Sequence, residues 1–434
     1  MEIFKAYDIR GIYPSELNEE TAYKIGRAFV VLLKCRNVVI GRDMRKSSEP
    51  LFNAVAKGIT DQGADVIDIG MATSPQLYFC SGKYRYDAGI MITASHNPAQ
   101  YNGMKMVAKG VVPVSYDTGI KDIKELVEKG SFPEPSKKGK IKTKNFHEDY
   151  KKFVTKGIKK FPLKVVIDTA NSMGAKEAEI IQDYCEIVPL FFELDDSFPN
   201  HEANPLKYET LKDLQEKVVE EKADLGIAFD GDADRCAFVD EKGQIISSDM
   251  ITALLAQEFK GKKIGYDLRS SWTVAEEIKK NKGTPVMIRV GHVFIKQMMR
   301  EQGIVFAGEL SGHYYYKDNY FCESSIKTCF LVMDMVSKGK KLSELIQPLK
   351  RYFASGEINL EVMDKDAVLS KVEEKYGPEA KEILHLDGVS VIFDDWWFNL
   401  RKSNTEPLIR LNIEAKTKEL MENKRDEVLN LVRS

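Results

Sequence analysis

Apolar, β-branched runs that end in an aspartate and a polar turn recur three times along the chain: Val38-Val39-Ile40-Gly41-Arg42-Asp43, Val165-Val166-Ile167-Asp168-Thr169-Ala170-Asn171 and Ile264-Gly265-Tyr266-Asp267-Leu268-Arg269. Helix-like periodicity follows each, for example Ser271 to Lys280 after the third, so a strand, a turn and a helix are predicted three times over. Each repeat later offers a second apolar run that empties into a polar turn. These are Ala88 to Thr93 before Ala94-Ser95-His96-Asn97-Pro98, Leu225 to Phe229 before Asp230, and Val305 to Ala307 before Gly308-Glu309. Active groups in open α/β sheets collect at the carboxyl ends of strands, so these three turns are expected to meet in one cleft.

A Pro- and Lys-rich stretch from Pro133 to Lys144 reads as a linker and the first domain boundary. Further boundaries are expected near Ile245 to Asp249 and near Phe353 to Glu357, where a Ser-Gly pair interrupts the pattern. The last segment has strand-like runs at Val389 to Phe393 and Leu408 to Ile413 and a helical pattern from Thr417 to Val432. The expected architecture is three related α/β domains with mixed sheets, residues 1–144, 145–247 and 248–354, and a smaller α+β domain, residues 355–434. A length of 434 residues agrees, since one domain usually takes ~100–200 residues.

Composition narrows the function classes. With 64 Lys+Arg against 66 Asp+Glu, the global charge points to neither nucleic acid nor an anionic membrane. Any phosphate binding must therefore be local. The start, Met1-Glu2-Ile3-Phe4-Lys5, does not read as a signal peptide, and the run Ala28 to Leu33 is too short to span a bilayer. Six cysteines without a CxxC pair suggest reduced thiols and a cytoplasmic enzyme.

Asp230-Gly231-Asp232-Ala233-Asp234-Arg235 sets three carboxylates at alternate positions, able to face one way in an extended or turning segment. Such acids repel one another without a cation, and a hard divalent ion such as Mg²⁺ takes oxygen ligands from a few carboxylates and a phosphate. An EF-hand is excluded because its sixth position, which requires glycine, is Arg235. Ser95 stands on a tight turn at the end of an apolar run. A hydrolase serine would ask for G-x-S-x-G, which is absent around it, and the residues 95–97 also suit a plain turn. Taken alone, the serine leaves both readings open.

The combination is more specific. Thr93 to Pro98 with Tyr101-Asn102-Gly103-Met104-Lys105, Asp230 to Arg235, Gly308-Glu309-Leu310-Ser311-Gly312-His313 and Arg401-Lys402-Ser403-Asn404-Thr405-Glu406-Pro407 follow one another in the order of four loops of the phosphohexomutase superfamily. Tyr7-Asp8-Ile9-Arg10-Gly11, Gly41 to Arg45 and Gly291-His292 add to the match, and the chain resembles the phosphomannomutase/phosphoglucomutase branch over essentially its whole length. The resemblance implies a phosphoserine at Ser95, whose phosphate shares Mg²⁺ with Asp230, Asp232 and Asp234. It implies catalytic roles for Lys105, Arg10 and His292, with Lys105 the preferred base because a lysine pKa falls readily when desolvated or placed near cations. Substrate contacts are implied for Tyr7, Arg235, Arg269, Glu309, Ser311, His313, Arg401, Ser403, Asn404, Thr405 and Arg410.

The implied reaction interconverts hexose 1-phosphate and hexose 6-phosphate, of mannose or glucose, through a hexose 1,6-bisphosphate that also serves as activator. Phosphoglucosamine mutases usually carry Gln where Leu310 stands and often Gly where Asn404 stands. A phosphoglucosamine mutase, a metal-dependent sugar phosphatase and a non-catalytic sugar-phosphate sensor are the alternatives. Small hexose phosphates are the only partners implied, and the sequence leaves monomer and homo-oligomer open. One departure is Glu323-Ser324-Ser325, where relatives often show two aspartates and a glycine, which puts support of the sugar loop in question.

Overall fold

The computed structural model describes residues 2–403 and 408–433. The chain forms two compact units, Met1–Ser247 with Ser311–Ser343, and Ser248–Leu310 with Glu344–Ser434.

In the first unit the predicted run at Val38 becomes the strand Asn37–Arg42, parallel to both Asp65–Met71 and Ala88–Ile92. Tyr101–Ala108 lies antiparallel to Ala88–Ile92, and Ile9–Ile12 pairs antiparallel on its far side. The opposite edge is Ile141–Thr143, parallel to Asp65–Met71 and inside the stretch read as a linker. All three of its residues are exposed, so it buries nothing that an apolar pattern could reveal. Its lysine suits an exposed edge.

A second mixed sheet orders Ile245–Ile246, Cys236–Asp240, Leu225–Phe229, Lys164–Asp168 and Glu186–Leu190. Leu225–Phe229 is buried throughout because it sits mid-sheet, parallel to one neighbour and antiparallel to the other. Each large side chain buried there stabilises by about 1.5–3 kcal/mol, which fixes the ends of these strands and the turns beyond them. The hairpin of Tyr314–Tyr316 with Cys322–Glu323 and the helix Ser325–Ser337 belong to the same unit.

In the second unit Lys263–Asp267 runs parallel between Thr284–Ile288 and Phe306–Gly308. The helix Trp272–Lys280 follows, started by Ser271, whose side chain accepts from the Thr273 amide. An antiparallel sheet then orders Phe353–Glu361, Leu408–Ala415, Trp396–Lys402, Val389–Ile392 and Glu382–Leu384, with the helix Lys418–Arg433 as the closing element. Three of its five strands escaped the sequence reading. Glu382–Leu384 is only three residues long, and in Trp396–Lys402 the buried Asn399 and Arg401 break the apolar signal. Ser355-Gly356, the pair that interrupts the pattern, forms a bulge between Ala354 and Glu357 within a strand. The fold class is thus three α/β domains and a C-terminal antiparallel-sheet domain. Among the described residues no helix is long and apolar enough to cross a membrane, and all six cysteines are free.

Candidate active site

Strand pairing in the first sheet puts two of the candidate groups on one face. Arg10 lies opposite Gly103, and Lys105 is two residues further along the same strand. The strand Ala88–Ile92 ends in the turn that carries Ser95, whose φ of 51° is the left-handed conformation. The Ser95 amide donates to Thr93 Oγ1 at 2.9 Å. Arg45, which the sequence reading left outside the site, ties the rest of the turn by donating to the carbonyls of Ser95, Asn97, Pro98 and Tyr101 at 2.6 to 3.0 Å. Arg10 donates to Asn97 Oδ1 at 2.6 Å and pairs with Asp8. Tyr7 precedes the strand Ile9–Ile12 and is partly buried.

The acidic turn follows the buried strand Leu225–Phe229, and its three carboxylates converge: one oxygen each from Asp230, Asp232 and Asp234 lies within 4.8 Å of the others. All three are buried. The Ser95 hydroxyl donates to Asp230 Oδ2 at 2.7 Å, so serine turn and acidic turn meet. Gly231 makes the approach possible, because a Cβ there would stand 2.1 Å from the Ser95 carbonyl oxygen. Lys105 Nζ bridges Asp232 Oδ2 and Asp234 Oδ2 at 2.5 Å each. Asp232 Oδ1 stays buried without a hydrogen-bond donor.

Burial raises the Asp230 carboxyl to about 7, and the charges of Asp234 and Asp232 add to this. Burial would also raise Asp234, but Lys105 and His313 outweigh it and hold it well below the usual range. For Lys105 desolvation is outweighed by charge. Burial alone would lower the ammonium, yet the charges of Asp232, Asp234 and Asp230 hold it above its ordinary value. His96, with Nδ1 3.3 Å from Ser95 Oγ, is kept neutral by burial and by Arg235, Arg10 and Lys105.

Three convergent, buried carboxylates and an orphaned carboxylate oxygen are an oxygen donor set that fits a hard divalent cation. His313 also reaches this turn: its Nε2 lies 3.3 Å from Asp234 Oδ1 and accepts from Arg235 Nε at 3.2 Å, while Nδ1 is 2.8 Å from Ser311 Oγ. The segment before it folds as a turn at Gly312, φ 83°. Glu323 is buried beside Asp234 and His313.

The remaining candidates stand in the second unit. Arg269 follows Asp267, donates to Asp267 Oδ2 at 2.8 Å, and has Glu309 at 3.6 Å and Glu357 at 3.4 Å. Arg401 and Arg410 face each other across adjacent strands. Glu357 takes both, at 2.5 Å from Arg401 and 3.3 Å from Arg410, which relieves the opposition of like charges. Burial would raise the Glu357 carboxyl, but Arg269, Arg401 and Arg410 hold it lower. Ser403 closes the hairpin by donating its amide to the Leu408 carbonyl at 2.8 Å. Asn404 and Thr405 lie outside the described residues. His292 starts the helix His292–Gln302.

Sequence reasoning missed Arg45, Ser74, Glu323 as a neighbour of the acids, and Glu357. Arg45 stood in a quoted motif and Glu357 beside the Ser-Gly pair, but neither carries a local signal of its partners.

Four family models match in chain order: phosphoglucomutase/phosphomannomutase alpha/beta/alpha domain I at residues 1–134, domain II at 144–243, domain III at 247–352 and the C-terminal domain at 357–431. A phosphomannomutase of Salmonella montevideo is 41% identical over 450 residues, covering 99% of both chains. A crystal structure of a phosphoglucomutase/phosphomannomutase family protein from Burkholderia thailandensis superposes with a TM-score of 0.93 at 31% identity, over 99% of this chain and 97% of that one. At 15% identity and a TM-score of 0.65, the Aspergillus fumigatus N-acetylphosphoglucosamine mutase, solved with GlcNAc-6P and magnesium, shares the fold over 100% of this chain and 96% of its own. With all four domains matched in order and relatives aligned from end to end, the chain belongs to the phosphoglucomutase/phosphomannomutase family of isomerases.

Proposed function

We propose that this chain interconverts the 1-phosphate and 6-phosphate of mannose or glucose, through a phosphoserine at Ser95 and a hexose 1,6-bisphosphate. One observation carries the reading: the Ser95 hydroxyl sits 2.7 Å from Asp230 in a buried cluster of three carboxylates. The relatives named phosphomannomutase and the residue Leu310 support mannose or glucose over glucosamine. Free cysteines fit a reducing, cytoplasmic setting.

Asp230, Asp232 and Asp234 would hold Mg²⁺ together with an oxygen of the serine phosphate. Bound there, the cation supplies Lewis acidity and takes from Lys105 the carboxylate charges that keep it protonated. The sugar hydroxyl attacks the phosphorus as the bond to Ser95 Oγ breaks, and Lys105 takes the hydroxyl proton. Arg10 and Arg235 neutralise charge beside the serine. Ser311, His313 and Glu309 bind sugar hydroxyls. Arg269, Arg401, Ser403 and Arg410, with Asn404 and Thr405, hold the phosphate that is not transferred, and His292 assists proton transfer. Return of the other phosphate to Ser95 completes the exchange. The division 1–144, 145–247, 248–354 and 355–434 assigns one loop to each domain.

Intact mass and phosphopeptide mapping, followed by a coupled assay on mannose 1-phosphate and glucose 1-phosphate with Mg²⁺ and trace hexose 1,6-bisphosphate, test this. Phosphate on Ser95 and sugar 6-phosphate as product are expected, both lost in Ser95→Ala. Inorganic phosphate as main product would replace the mutase with a phosphatase.

A further inference from the structure

The acidic turn is gripped from outside at two consecutive residues, by side chains to which neither the proposed reaction nor the sequence motifs assign a part. At Asp232, Ser74 donates its amide to the backbone carbonyl at 3.0 Å and its hydroxyl to Oδ2. At Ala233, Ser325 donates its hydroxyl to the backbone carbonyl at 2.6 Å. Ser74 and Ser325 are both buried.

Each grip acts on a feature that the turn does not settle by itself. Asp232 has two oxygens, and only one can be spared for a ligand. Ser74 and Lys105 occupy Oδ2, which leaves Oδ1 as the buried oxygen without a donor. Ala233 has φ of 59°, a conformation that costs a non-glycine residue on the order of 1 kcal/mol or more and persists only where surroundings enforce it. Within the turn, the Ala233 amide reaches the Asp230 carbonyl at 3.1 Å. The carbonyl on the other side of this strained residue is held by Ser325.

Both hydroxyls are themselves anchored. Ser74 begins the helix Ser74–Lys83 behind its cap Thr73, whose hydroxyl donates to Glu177 Oε1 at 2.6 Å. Glu177 is buried and accepts a second bond from Tyr150 at 2.9 Å. Ser325 begins the helix Ser325–Ser337, capped by Ser324. The Glu323-Ser324-Ser325 segment therefore reaches the acidic turn through Ser325.

Given the divalent-cation reading above, on which this rests, we infer that Ser74 and Ser325 are positioning residues that set Asp232 and Ala233 so that the three carboxylates converge before the cation arrives. Loss of either hydroxyl lets the turn relax and weakens the cation without touching the reacting atoms. Hydrogen bonds to metal-binding carboxylates typically change affinity by about 10–100-fold when removed.

Mn²⁺ titration of the metal-stripped protein, followed by electron paramagnetic resonance, tests this without turnover. Wild type should bind one Mn²⁺, Ser74→Ala and Ser325→Ala should bind it about tenfold more weakly, and Ser74→Thr, which keeps the hydroxyl, should recover affinity. Melting in EDTA should stay close to wild type for Ser74→Ala, which separates positioning from loss of fold. Unchanged Mn²⁺ affinity in both alanine variants overturns the inference while leaving the cation reading intact. A wild-type protein that takes up no Mn²⁺ overturns the cation reading itself and this inference with it.

Discussion

The acidic turn of the first unit and the arginine cluster of the second solve the problem of crowded like charges in opposite ways. Asp232 and Asp234 share the bridging ammonium of Lys105, and Asp230, with Arg235 at 3.8 Å, is driven up by burial to about 7. Arg269, Arg401 and Arg410 instead have a matching set of carboxylates in Asp267, Glu309 and Glu357, with Glu357 touching all three guanidiniums. One region is short of positive charge and set to take a cation. The other is already balanced, so a phosphate entering it must exchange for a carboxylate already in place.

Ser95→Ala should separate the two regions most sharply. Turnover should fall on the order of 10⁴-fold or more, since removal of a nucleophile has effects of that size, while Mn²⁺ still binds the three remaining carboxylates as tightly as it binds dephosphorylated wild type. Arg401→Ala should do the reverse. A charge-assisted bond of about 1.5–3 kcal/mol corresponds to roughly a 10–100-fold rise in KM for the sugar phosphate, with Mn²⁺ binding unmoved in the same titration. If Arg401→Ala weakened Mn²⁺ as strongly as substrate, the two regions would not be independent charge systems.

Glu357→Gln should have a smaller effect of opposite sign. It removes the carboxylate shared by three guanidiniums, so inorganic phosphate, measured by calorimetry at low salt, should bind a few-fold tighter and lose that gain as salt is raised. Weaker phosphate binding would make Glu357 an organiser of the arginines and not a competitor for them.

The mildest test concerns Glu177, whose carboxyl burial pushes up to about 7 from an ordinary 4.5, against hydrogen bonds from Thr73 and Tyr150. Between these values the unfolded chain releases the proton and the folded chain keeps it. Stability therefore falls as pH rises from about 4.5 to about 7 and levels off above. Glu177→Gln carries no such proton, so relative to wild type its stability should improve across that window by up to about 3 kcal/mol. Melting curves from pH 5 to 8 measure it, and a constant difference between the two proteins would rule it out.

The two regions also differed in how far the sequence revealed them. Ser95 and the aspartates announce themselves because each follows a short apolar run that is buried along its whole length. Lys105 was recognisable through its motif, but the acids that hold its ammonium lie more than a hundred positions away in the chain. Ser74 and Ser325 look like ordinary helix starts until the chain brings Asp232 and Ala233 to them. Glu357 sits at a bulge whose Ser-Gly pair reads as a break. Turns that follow strong strands were legible, and partners chosen by tertiary contact were not.

The order in which the chain returns to the first unit matters during synthesis. The acidic turn is complete at residue 235, but His313 and Ser325 emerge roughly 80–90 residues later, some seconds at ~5–20 residues per second. In between, the ribosome produces Ser248–Leu310, which belongs to the other unit. A nascent chain therefore holds the sequence of the acidic turn for seconds before Ser325, which bonds the Ala233 carbonyl, exists. The contacts of His313 and Ser325 with the acidic turn can form only once the re-entering segment Ser311–Ser343 has been made.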